Sequence, residues 1–90
     1  MKADEEIALA AHARWQAARR GLAEEEILRV ARAPQQVIRL RRGREIRQSR
    51  GRTPQGGEHL LRVVVEVTTE GATVVTAYRT SKTRKYWRGE

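Results

Sequence analysis

At Pro34 the spacing of the apolar residues changes, and that change fixes the fold class. Before it, Ile7, Ala8, Ala11, Trp15 and Ala18 form one stripe, and Ile27, Leu28, Val30 and Ala31 form a second. That is the period of a helix with one buried face. After it the residues alternate. Val37, Ile38 and Leu40 interleave with Arg39 and Arg41, and Leu61, Val63, Val65 and Val67 stand against Leu60, Arg62 and Val64. Successive side chains of a strand point to opposite faces. A chain of 90 residues is one domain. At this size only about 60% of the unfolded surface is buried. Helical and strand faces must therefore share one core, which makes the fold α+β in two layers.

The spacing predicts a helix over residues 4–20. Asp4, Glu5 and Glu6 fall in its first turn and Arg19 and Arg20 in its last, as the helix dipole favours. Gly21 stops it in a left-handed conformation, Leu22 folds back, and Trp15 packs on the sheet. A second helix spans 24–32, opened by Glu24, Glu25 and Glu26 and ended by Pro34. Strands follow at 35–42, 44–50, 59–69 and 72–80. The second of these has only Ile46 as an apolar residue and reads as a charged edge. Residues 51–57 read as a flexible loop and Glu70-Gly71 as a hairpin turn. In the last strand Val74, Thr76 and Tyr78 share one face and Val75, Ala77 and Arg79 the other. A basic, aromatic tail closes the chain at 81–88. The expected architecture is a single domain, 1–90, with two N-terminal helices on one face of a small antiparallel sheet of about four strands.

Charge narrows the partners. The net charge is +8, and it is not spread evenly. Residues 1–33 carry six cations and six anions, whereas residues 34–90 carry thirteen cations and five anions. Sixteen of the nineteen cations are Arg, the side chain that forks onto phosphate. A polyanion is the implied partner, and RNA is the polyanion that also uses the aromatic residues of the tail. The chain has no Cys, so disulfides and thiolate metal sites are excluded. No apolar run reaches the ~20 residues of a membrane span. The acidic N-terminus is unlike a signal peptide. A cytoplasmic protein without membrane contact is expected.

Several residues stand out chemically. His12 sits at the margin of the first stripe, where it can move a proton near neutral pH or simply bond a strand carbonyl. His12 and His59 are the only histidines, and no metal-ligand spacing joins them, so neither a metal nor another cofactor is expected. Ser49 and Ser81 lack the turn context of a nucleophile. Arg79 and Lys82 can neutralise a phosphate, and Tyr86 or Trp87 can stack on a base. The RNA-binding surface is expected to draw on Arg19, Arg39, Arg41, Arg44, Arg47, Arg62, Arg84, Lys85 and Trp87.

Short stretches also carry a resemblance. His12-Ala13, Arg20-Gly21-Leu22, Leu61 to Val65, Thr76-Ala77-Tyr78 and Lys85-Tyr86-Trp87 resemble a bacterial domain family of unknown function, over residues 11–87. That family is usually grouped with RelE/ParE-like and BrnT-like toxins. The resemblance implies a microbial ribonuclease-like fold, a toxin that cleaves RNA without metal, on or off the ribosome, and an acidic antitoxin partner. His12, Arg79, Lys82 and Tyr86 would then be its catalytic group, converging at one rim of the sheet. The family often has an arginine four residues after the histidine, where this chain has Gln16. The alternatives are a nucleic-acid-binding accessory protein without catalysis, or a toxin that blocks a protein target as ParE-like proteins do.

Overall fold

A computed structural model describes residues 5–89. The chain runs β1 (Glu6–Leu9), α1 (Ala11–Arg19), α2 (Glu24–Arg32), β2 (Gln36–Arg39), β3 (Arg44–Arg52), β4 (Glu58–Thr68), β5 (Gly71–Thr80) and α3 (Thr83–Tyr86). The strands form one five-stranded sheet in the order β1-β5-β4-β3-β2. β2 to β5 pair antiparallel, and β1 pairs parallel with β5. The class is α+β, but the four-stranded antiparallel sheet behind two leading helices is corrected to a mixed five-stranded sheet with three short helices.

The difference begins at the N-terminus. Residues expected as the first two turns of a helix are strand β1, and the helix predicted over 4–20 shrinks to Ala11–Arg19. A stretch of four residues carries no decisive period, so the partner decides. Ile7 pairs with Ala72 and Leu9 with Val74, and both Ile7 and Leu9 turn toward the core. Glu5 and Glu6 therefore do not serve a helix dipole, and Asp4 lies outside the described residues. α1 consequently buries Ala13 and Ala17, and Trp15, expected on the sheet, is 56% exposed. The stop behaves as expected: Gly21 has φ 69° and the Leu22 amide donates to the Ala17 carbonyl at 2.9 Å.

α2 matches its expected bounds and buries Ile27, Val30 and Ala31. With Leu61, Val63, Val65, Val74 and Ala77 they make the core between the helices and one face of the sheet. β3 is not the edge strand that its charge suggested. It lies between β4 and β2, and it buries Arg47 and Gln48. The edge on that side is β2, with Val37 and Leu40 exposed. The loop expected at 51–57 is shorter, since Gly51 and Arg52 remain paired with His59 and Glu58. The simple alternation in β5 fails as well. Val64 pairs with Thr76 but Val65 with Val74, so Val75 is an extra residue, a bulge. It lets Val74 and Ala77 both face the core.

Gly71 starts β5 at φ 155°. A Cβ there would collide with the Glu6 carbonyl oxygen and lie 3.2 Å from the Glu6 Cβ. Gly71→Ala is thus expected to push β1 off the sheet and to cost about 2 kcal/mol, within the usual range for backbone strain. Hydrogen exchange should show the loss first in the amides of β1. Unchanged protection there would contradict the account.

Candidate nucleic-acid interface

Helices α1 and α2 cover one face of the sheet, and pairing registers order the side chains of the other. One row is Ile38, Ile46 and Val64, all half-buried. The next is Gln36, Gln48, Arg62 and Tyr78, and the third is Arg50, Leu60 and Thr80. The closing segment folds across the last two rows. Gln48 Nε2 donates to the Tyr86 carbonyl at 3.1 Å. Gln36 donates to the Arg88 carbonyl at 2.6 Å and accepts from the Arg88 amide at 3.0 Å. Gln36 and Gln48 are joined at 2.8 Å. The tail is therefore bound by two glutamine side chains of the sheet, and the aliphatic row stays uncovered.

Arg62 is the centre of this face. It is 5% exposed. Its Nε donates to Gln48 Oε1 at 2.8 Å and its Nη1 to the Tyr78 hydroxyl at 2.8 Å. The Tyr86 ring lies 4.1 Å from the guanidinium carbon. All of these partners are neutral, and no carboxylate joins them among the described residues. A buried cation held this way leaves its charge uncancelled in a low-dielectric site, so its field reaches the face. Arg50 repeats the arrangement at the end of the sheet, 4.1 Å over the Trp87 ring, with Glu58 at 3.9 Å.

The rim adds more charge. Arg42 and Gly43 turn β2 into β3 with φ of 59° and 75°, a tight turn with two left-handed residues. Asn or Gly usually fills the first of these positions, so Arg there suits charge better than backbone geometry. Arg41, Arg42, Lys82, Arg84, Lys85 and Arg88 have no carboxylate partner among the described residues.

The expected site residues are dispersed. His12 lies on the exposed side of α1, stacked on Trp15 at 5.7 Å, with Arg19 over the same ring at 4.9 Å. Tyr86 lies on the other side of the sheet, over Arg62. Arg79 is on the helix-covered side, 3.0 Å from Glu26 of α2. Lys82 follows β5, its amide bonded to the Thr80 hydroxyl at 3.0 Å. Lys82 and Tyr86 share one backbone bond, from the Tyr86 amide to the Lys82 carbonyl at 3.3 Å, and among the described residues no side-chain bond joins any two of the four. Gln16 accepts from the Thr76 hydroxyl at 2.6 Å, which ties α1 to β5. Of the expected RNA contacts, Arg39 and Arg44 are exposed and pair with Glu45 and Glu66 at 3.6 and 3.3 Å. Arg84 and Lys85 are exposed on α3. Arg47 is corrected: it is 8% exposed on the helix side and is bonded to Glu5, Glu45 and the Ala31 carbonyl. These bonds leave at most one N–H of the guanidinium unspent, and burial keeps it from the surface. Arg62, expected as a direct contact, lies buried beneath the Tyr86 ring. The sequence signal for it was one arginine inside the most apolar strand. Gln36, Gln48 and Tyr78 carried no such signal.

The fold and the face together define a small α+β protein with a cationic, aromatic open sheet. Residues 9–79 match the model of a domain of unknown function, DUF4258, and the chain belongs to that family. The matched stretch holds Gln48, Arg62 and Tyr78 and ends before α3. No curated protein and no solved structure matches the chain. Among the described residues no helix is long and apolar enough to cross a membrane.

Proposed function

We propose that this protein binds single-stranded RNA across the open face of its sheet. The observation that carries the reading is Arg62, a nearly buried guanidinium with only neutral partners, framed by two tyrosines. Bases can stack or pack on Tyr86 and the uncovered aliphatic row, while rim cations meet phosphates. Affinity for an unstructured RNA is expected to fall steeply with salt. If the six unpaired rim cations each meet one phosphate, log K against log salt has a slope of roughly −4. A mobility-shift series over salt measures it. No binding at low salt, or a flat slope, sinks the reading.

A second reading is metal-free cleavage by a toxin of the RelE/ParE-like and BrnT-like grouping. The Tyr78 hydroxyl, 2.8 Å from the Arg62 guanidinium, favours it. Arg62 would stabilise phosphorane charge and a phenol would handle a proton. Labelled RNA incubated in EDTA separates the two. Products with 2′,3′-cyclic ends select cleavage, and a shifted band with intact RNA selects binding alone. An acidic protein partner would compete for the same face, so RNA should displace it.

A further inference from the structure

A cleft at the end of the sheet is lined by Glu26, Arg29, Gln35, Ser49, Arg50, Gly51 and His59. Of these residues only Arg50 also takes part in the open face. His59 is 8% exposed and makes no hydrogen bond among the described residues, and its Nδ1 is fully buried without a partner. Leaving such an atom unpaired is costly unless something fills the role. Its position is built in. A Cβ on Gly51 would lie 2.9 Å from His59 Nε2 and 3.2 Å from Cε1, so the imidazole occupies space that only a glycine leaves open.

The remaining valences of the cleft have one sign. Ser49 Oγ already accepts the Gln35 amide at 3.1 Å, which leaves its hydroxyl proton to give. Gln35 Oε1 already accepts the Arg50 amide at 2.9 Å, which leaves its NH₂. Arg29 is exposed and has no carboxylate partner among the described residues. The one carboxylate, Glu26, is held by Arg79 at 3.0 Å. A hydroxyl, an amide NH₂, a guanidinium and an imidazole are thus unspent, and nearly all of that capacity is donor. We infer that this cleft binds a phosphate group, as inorganic phosphate or as a phosphate monoester. A tetrahedral anion with several acceptor oxygens uses such a set, and Arg forks onto it.

The test uses the full chain with no RNA present, so its outcome is independent of the open face. Inorganic phosphate is titrated against chloride at constant ionic strength and followed by NMR at His59, Ser49 and Gln35. A nucleoside 5′-monophosphate, compared with its nucleoside, tells a monoester from the free ion. Saturable shifts confined to these residues are expected. Arg29→Gln, an exposed change, is expected to weaken binding about tenfold, the usual loss for a charge-assisted bond. Gly51→Ala should move the His59 ring and weaken it too, while Arg29→Gln keeps the test valid if Gly51→Ala fails to fold. Shifts that appear only at the rim cations, or acetate binding as tightly as phosphate, overturn the assignment.

Discussion

Arg47→Leu is expected to cost about 3 kcal/mol of folding stability, the low end for breaking a buried ion pair. Three separate parts of the chain end on this side chain. Nη1 and Nη2 meet the Glu5 carboxylate at 3.0 and 3.1 Å, Nε meets Glu45 at 3.0 Å, and Nη1 also meets the Ala31 carbonyl at 2.8 Å. The last is one of the α2 carbonyls that the helix itself cannot pair. The hydrogen bonds that Arg47 donates to Glu5 hold the guanidinium pKa above its ordinary value, against the opposing effect of burial. Leucine matches the burial but takes the guanidinium away from two carboxylates, of which Glu45 keeps Arg39 at 3.6 Å. The Glu5 and Glu45 side chains are 26% and 15% exposed, and water therefore screens part of the loss. Urea denaturation measures the change. Adding Glu45→Gln to the Arg47→Leu variant should return part of it, because one of the two carboxylates that lose Arg47 is neutralised. A loss under about 1 kcal/mol would show that the network is ornamental.

That network also explains what could be read from the chain beforehand. α2 was legible because its signals are local: three glutamates open it, Pro34 closes it, and its stripe is three residues wide per two turns. β4 was legible because its alternation is long, and β5 was legible as a strand, although the bulge at Val75 was not. β1 was not, since four residues fit either period and the deciding partner, Ala72 opposite Ile7, is far along the chain. Trp15 misled for a related reason. A large apolar residue looks like core, but β1 fixes where α1 starts, and the close helix–sheet contact is made by Ala13 and Ala17. Alternation put Arg62 on the face opposite Leu61 and Val63, but it could not show that Gln48, Arg47 and Arg62 are buried. Their burial depends on partners in other elements, and the same polar letters mean an edge strand when those partners are absent. His59 was seen only as a missing metal ligand, although its neighbour across the ladder, Gly51, is what makes room for it.

Arg62→Gln is expected to lower RNA affinity on the order of a hundredfold, the largest functional effect of any single change proposed for the open face. The effect is electrostatic and geometric together. The charge sits under Tyr86 and beside Tyr78 with no carboxylate partner among the described residues, so it biases the potential of the whole face. It also props the Tyr86 ring at 4.1 Å and orients Gln48, which in turn holds the Tyr86 carbonyl. Glutamine keeps a hydrogen bond to Gln48 within reach but gives up both the charge and the flat cationic surface. Arg62→Lys separates these two contributions, because an ammonium keeps the charge and lacks the planar fork. It is expected to retain the salt slope of the native protein while losing the part of the affinity that comes from the placed tyrosine. Fluorescence anisotropy with a labelled single strand, at two salt concentrations, reads both quantities. Circular dichroism checks that each variant is folded. If folded Arg62→Gln binds RNA as tightly as the native chain, the open face is not where the strand lies, and the rim cations at Arg41 and Arg42 would have to act without it.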